Sequence, residues 1–149
     1  MSSIYNFRRV SGQLSCSGQP TEDQLKHLAG DKYQVIVNLG LLNTKYSLPN
    51  EDGIATELGI DYYHIPVLFD DPQISQLADF INYMDEHSDK KTIVHCAANY
   101  RASVFTGLYL FATAKLDERE MQEFIEDVWQ PDAVWQQFLD EGLEYIKQR

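Results

Sequence analysis

The sequence predicts a single α/β domain over residues 1–149, with a largely parallel central sheet flanked by helices. Three observations predict it. Strand-like and helix-like segments alternate from end to end, as in parallel strands joined by helical crossovers. The length of 149 residues suits one hydrophobic core, and no repeat, low-complexity tract or Pro/Ser-rich linker divides it. The run Tyr33-Gln34-Val35-Ile36-Val37-Asn38-Leu39 is β-branched at its centre and of the length of a buried strand.

The elements follow in order. Leu14-Ser15-Cys16-Ser17 reads as a short strand that ends at Gly18-Gln19-Pro20. Thr21-Glu22-Asp23-Gln24 has the capping-box pattern, a Thr hydroxyl with a Gln three residues on. It opens a short helix with Leu25 and Leu28 on its apolar side and Gly30 past its end. The strand Tyr33 to Leu39 comes next, then a long polar connection, Gly40 to Asn50, that contains Lys45. A short helix from Glu51 to Leu58 closes on Gly59. Asp61 to Val67 is a third strand candidate, and Pro66 requires an end or an edge of the sheet.

Leu68-Phe69-Asp70-Asp71-Pro72 is a turn. Ile74, Leu77, Ala78, Ile81 and Met84 then recur at helical spacing. Thr92-Ile93-Val94-His95 is the fourth strand, and an apolar helix runs from about Arg101 through Lys115. Asp117-Glu118-Arg119-Glu120 is a second capping box, ahead of the stripe Met121, Phe124, Ile125, Val128. The last helix begins after Pro131 and carries Trp135, Phe138, Leu139, Leu143 and Ile146 on one side.

Composition narrows the partners. The chain has 23 acidic against 12 basic residues, a net charge of −11. Nucleic acid and anionic membranes both require a basic footprint, so neither is expected as a partner. A small anionic substrate is still allowed, because it feels the field of its pocket more than the total charge. The start of the chain lacks the apolar run of a signal peptide. The longest apolar stretch, Val104 to Ala114, is about half a bilayer span. Two cysteines, Cys16 and Cys96, make no disulfide framework, and a cytoplasmic location is the expectation. Four scattered histidines, with no His/Cys cluster, imply no metal site and no cofactor.

The informative stretch is Thr92-Ile93-Val94-His95-Cys96-Ala97-Ala98-Asn99-Tyr100-Arg101-Ala102-Ser103. It is a buried strand, a cysteine, a tight loop, and an arginine that opens an apolar helix. Backbone N–H groups in such a loop and in the first helical turn lack internal partners and converge on an anion site. The positive end of the helix adds to it. A cysteine at the mouth of that site is favoured as the thiolate, a strong nucleophile. Arg101 offers a planar fork for two oxygens of a phosphoryl group. An arginine at a helix N-terminus opposes the dipole, and a bound anion compensates for it.

On Val94-His95-Cys96 followed by Arg101, the sequence resembles the cysteine-dependent protein tyrosine and dual-specificity phosphatase superfamily. Phe7-Arg8-Arg9-Val10-Ser11, Ser17-Gly18-Gln19-Pro20-Thr21 and His64-Ile65-Pro66-Val67 look like a bacterial, phosphatase-like branch of it, long catalogued as of unknown function. The resemblance implies a dual-specificity-phosphatase-like fold and a phosphorylated substrate, phosphotyrosine or another phosphomonoester. It implies a metal-free mechanism in which Cys96 becomes a phosphocysteine. Arg101 and the amides of Ala97, Ala98, Asn99 and Tyr100 would bind the phosphoryl oxygens, and an aspartate would protonate the leaving oxygen. The matching position is in Phe69-Asp70-Asp71-Pro72: Asp71 is favoured and Asp70 is the alternative. His95 resembles the residue that steadies the loop behind the nucleophile. Ser103 resembles the hydroxyl that helps the thiolate leave.

The motif departs from the superfamily in having four residues, not five, between Cys96 and Arg101, and no glycine among them. Asn99 can take the glycine's place, since Asn tolerates φ > 0. The residue after Arg101 is Ala102 instead of Ser or Thr. Sulfurtransferases of the rhodanese type also use a cysteine on a strand-to-helix loop, often with four residues before the arginine. A persulfide on Cys96 is therefore the second reading, and a weakly active phosphate-binding or phosphoprotein-binding module the third.

Other residues receive structural readings. Cys16 reads as a small buried hydrophobe, with a resolving thiol as the lesser alternative. His64 is structural, and His27 and His87 are solvated on helix surfaces or ends. Lys45 reads as a solvated lysine, with attraction of phosphate as the alternative. Trp129-Gln130-Pro131-Asp132 lies downstream of Cys96 and starts the last helix, with the aromatic stripe there as core.

Overall fold

The computed structural model describes residues 3–149. Five strands form one sheet: β1 (Arg8–Arg9), β2 (Leu14–Ser17), β3 (Val35–Asn38), β4 (Asp61–His64) and β5 (Thr92–His95). Their order across the sheet is β1-β2-β5-β3-β4. The four strands β2, β5, β3 and β4 run parallel, and β1 is antiparallel to β2 at one edge. Helices α1 (Glu22–Gly30), α2 (Glu51–Glu57), α3 (Ile74–Glu86), α4 (Tyr100–Ala112), α5 (Glu118–Glu126) and α6 (Ala133–Lys147) connect and cover them.

Both faces of the sheet are buried, as the continuous apolar strands require. Alternation along the strands sends Ile36 and Ile93 to a small core with Leu25, Leu28, Ala55 and Ile60 under α1 and α2. Cys16, Val35, Val37 and Val94 face the larger core, with Leu77 and Phe80 of α3, Phe105 and Leu108 of α4, Ile125 of α5 and Trp135 of α6. Helix α4 is buried from Arg101 to Leu110, which explains why it is apolar all round.

The two capping boxes close as the sequence predicts. Thr21 accepts from Gln24 N and Asp117 from Glu120 N, and each N3 side chain accepts from its cap's own N–H. Pro66 lies just beyond β4, the edge strand, and the ladder continues past it through Ile65 N to Asn38 O and Val67 N to Leu39 O. The proline's missing N–H therefore removes no bond from the sheet.

Two local expectations are corrected. Gly30 is the last residue of α1, not the residue past its end, and the left-handed position is Lys32 at φ 71°. Helix α4 stops at Ala112 instead of Lys115, because Ala114 turns left-handed (φ 59°) and the N–H groups of Lys115 and Leu116 return to Leu110 O. The antiparallel strand β1 is absent from the sequence reading; two residues carry no periodic signal.

The parallel register aligns the last residues of the strands in a row, Ser17, His95, Asn38 and His64. Open parallel sheets present their ligand crevices beyond these carboxyl ends, and Cys96 is the next residue after β5.

Candidate active site

The chain leaves β5 at His95, turns through residues 96–99 and enters α4 at Tyr100. Asn99 sits at the turn with φ 72°, the left-handed backbone expected of it. Neighbouring loops hold this turn from outside. Gln19 N–H donates to Ala97 O at 3.0 Å, and Asn6 Nδ2 donates to Ala98 O at 3.0 Å. Asn99 Nδ2 returns a bond to Asn6 O at 2.9 Å. Gly18 passes so close that a Cβ there would lie 2.7 Å from Ala97 O.

Those bonds use the carbonyls of the turn and not its amides. Among the described residues, no carbonyl takes the N–H of Ala97, Ala98, Tyr100 or Arg101. The N–H of Ala102, in the first turn of α4, points to Cys96 Sγ at 3.4 Å. Arg101 is 8% exposed and donates through Nη1 to Val67 O at 2.8 Å. Its Nε is buried without a partner among the described residues. A buried guanidinium N–H left open is costly. Orphan amides, a helix N-terminus, a sulfur and a guanidinium thus converge on a single cavity of about 410 Å³. Larger hollows of about 670 and 980 Å³ do not reach Cys96.

Behind the cradle stands a buried polar chain. His95 Nε2 lies 2.6 Å from Glu51 Oε2, and Glu51 Oε1 accepts from Gln19 Nε2 at 2.8 Å. His95 Nδ1 approaches Cys96 O at 3.4 Å. Sequence reasoning missed Glu51, because an acid at the start of a helix resembles an ordinary complement to the dipole. Its burial, 3% exposed, is what separates it from one.

Asp70 and Asp71 both stand exposed on the turn after β4. Asp71 Oδ1 accepts from Gln73 Nε2 at 2.8 Å. The preceding residue, Phe69, lines the cavity together with Tyr46, Tyr100 and Lys45. The Lys45 side chain reaches over the Tyr46 ring, 5.0 Å from its centroid. Lys45 is exposed, as a solvated lysine is, and it lies at the rim of the cavity. Ser103 is fully buried; its hydroxyl donates to Tyr100 O at 2.8 Å and accepts from Trp129 Nε1 at 3.2 Å. The contact to Cys96 Sγ in that turn comes from the Ala102 N–H.

The remaining candidates have plain surroundings. Burial pushes the Cys16 thiol from 9.0 up to about 12, with the nearby Asn99 amide opposing it in part. A neutral thiol of that kind is unreactive. His64 Nε2 lies 2.6 Å from Gly40 O at the cavity's base. His87, expected in solvent, is half-buried and stacks on Tyr83 at 3.9 Å. Trp135 is a core residue, as the stripe predicts, and Trp129 is half-buried against that core; both also touch Phe69 next to the candidate acids. Among the described residues, no group of three His, Cys, Asp or Glu is arranged to hold a metal, and no helix is long and apolar enough to cross a membrane.

No family model matches the chain, and no curated protein matches it. Solved structures do. A protein of Shewanella putrefaciens CN-32, described as "Putative phosphatase (DUF442)", is 31% identical, with TM-score 0.89 over 97% of this chain and 95% of that one. Tk-PTP in its active form is 24% identical, with TM-score 0.77 over 97% of each chain. PTPMT1 in complex with PI(5)P is 12% identical, with TM-score 0.79 over 96% of this chain and 97% of that one. The last two similarities establish the fold alone.

Proposed function

The chain belongs to the DUF442 family, in the cysteine-dependent protein tyrosine and dual-specificity phosphatase superfamily, and on that premise we propose that it hydrolyses phosphomonoesters through a phosphocysteine. Cys96 attacks phosphorus as a thiolate, and the ester P–O bond breaks. Arg101 and the open amides of residues 97, 98, 100 and 101 hold the equatorial oxygens as charge develops. Asp71, or Asp70 in its place, protonates the departing oxygen. A water then attacks the phosphocysteine, gives its proton to the same carboxylate and releases phosphate and the Cys96 thiolate.

The observation that carries this reading is the set of open amides at Ala97, Ala98, Tyr100 and Arg101, residues that line one cavity with Cys96. His95 steadies the loop through Cys96 O and Glu51. Ala102 N–H stabilises the sulfur, and Ser103 acts through the Tyr100 carbonyl and Trp129 indole that it bonds. The aromatic walls Tyr46, Phe69 and Tyr100 suit an aryl ester such as phosphotyrosine. The alternative is sulfur transfer through a Cys96 persulfide, which the loop of four residues between Cys96 and Arg101 favours.

One set of assays separates them. Wild type and Cys96→Ser are compared on 4-nitrophenyl phosphate and a phosphotyrosine peptide, and in parallel on sulfur transfer from thiosulfate to cyanide. Phosphatase turnover that Cys96→Ser abolishes supports the proposal. Full phosphatase activity in Cys96→Ser refutes it, and thiosulfate turnover with a persulfide mass on Cys96 selects the alternative. Phosphate binding with no turnover in either assay identifies a binding module.

A further inference from the structure

The loop that carries the candidate acids is gripped by a residue outside every motif of the site. Trp135 of α6 is fully buried and donates its indole N–H to Phe69 O at 2.7 Å. Phe69 immediately precedes Asp70 and Asp71. Its ring meets Tyr100, Trp129 and Trp135 at centroid distances of 6.4, 5.7 and 5.9 Å. Tyr100 belongs to the cradle and stacks on Trp129 at 4.5 Å with the rings 3° from parallel. The indole is itself fixed at its root, because Asp132 Oδ1 accepts from Trp135 N at 3.0 Å and caps α6.

A buried indole N–H requires an acceptor, and the acceptor here is a loop carbonyl rather than a core group. Both aspartate side chains are exposed, and apart from the Gln73 Nε2 bond to Asp71 Oδ1 no side chain fixes where they reach. The backbone sets it, and that backbone is pinned at Phe69.

We propose that Trp135 is a positioning residue for general acid catalysis: its hydrogen bond to Phe69 O registers the Asp70-Asp71 turn against the cradle that holds Cys96 and Arg101. The inference rests on the phosphatase reading above, with the acid on this turn. Proton delivery to a leaving group depends on placement at the ångström scale, whereas attack by Cys96 takes no proton from this turn. Loss of the bond therefore slows only the ester that needs protonation.

Trp135→Phe keeps aromatic bulk and deletes the N–H. The substrates are 4-nitrophenyl phosphate, whose phenolate leaves readily, and phenyl phosphate, whose more basic oxygen requires a proton. For Trp135→Phe, kcat on phenyl phosphate falls about tenfold and on 4-nitrophenyl phosphate less than about twofold, with KM held. Asp132→Ala, at an exposed cap whose loss frees the root of Trp135, produces the same split to a smaller degree and decides the matter if Trp135→Phe fails to fold. An equal fall on both esters, or no fall on either, overturns the inference. If Asp71→Asn or Asp70→Asn shows the split while Trp135→Phe and Asp132→Ala do not, only the role of Trp135 is lost. A wild type that hydrolyses neither ester overturns the phosphatase reading and this inference together.

Discussion

His95 Nε2 and Glu51 Oε2 lie 2.6 Å apart, and neither side chain is more than 1% exposed. The pair joins the residue behind the nucleophile to the first turn of α2, 44 positions away in the chain. With Gln19 on its other oxygen, Glu51 links three separate segments at the carboxyl edge of the sheet.

Removing one member of a buried pair leaves the other without a partner, which is more damaging than deleting both. Glu51→Ala is expected to lower stability by about 3–5 kcal/mol. Glu51→Gln, which keeps an acceptor oxygen, loses less. Urea unfolding of the two variants checks this; a Glu51→Ala midpoint equal to wild type would remove the pair from the scaffold.

Asp71→Asn is expected to lower kcat on phenyl phosphate by about 10²-fold or more and on 4-nitrophenyl phosphate by much less. The same measurement on Asp70→Asn chooses between the two carboxylates. Equal losses on both esters would exclude Asp71 as the acid.

At Gly18 a Cβ would stand 2.7 Å from Ala97 O and 2.9 Å from the Tyr5 ring. Gly18→Ala must push the cradle strand outward, at about 1–3 kcal/mol of stability. Because Ala97 is in the cradle, phosphate affinity should fall as well. Thermal melting with and without phosphate reads both effects, and a melt unchanged in both conditions would show the contact to be soft.

Cys16 titrates at about 12 when folded against 9.0 ordinarily, raised by burial. Below pH 9 the thiol is protonated in both states and contributes no pH dependence. Between pH 9 and 12 the unfolded chain gives up this proton first, so stability falls as pH rises, by about 1.4 kcal/mol per unit for this group. Tyr62, also raised to about 12 by burial, acts in the same direction. Cys16→Ala should flatten the alkaline slope of unfolding free energy, measured by urea titration at pH 9 and 10.5. An identical slope would mean that the thiol ionises normally in the fold.

What was legible in the sequence was local. The capping boxes at Thr21 and Asp117, the buried strand before Cys96 and the left-handed Asn99 each depend on neighbours within a few positions. What was hidden depends on distant partners. Glu51 reads as a helix-end acid until His95 is seen against it, and that Lys45 shares a cavity with Cys96 depends on a loop about 50 positions away. Trp135 satisfies the helical stripe so fully that its indole bond to Phe69 leaves no trace in the pattern. Strand β1 is set by pairing with β2, since two residues have no period.

The turn at Ala98 and Asn99 exchanges bonds with Asn6, 92 and 93 positions earlier, and Gly18 N–H donates to Tyr5 O beside them. Production of the protein should respect that arrangement. A purification tag fused at the C-terminus leaves these bonds alone, whereas a protease nick between residues 5 and 8 would strip the outer brace from the cradle. Such clipping would leave a preparation that looks nearly intact by mass and works poorly.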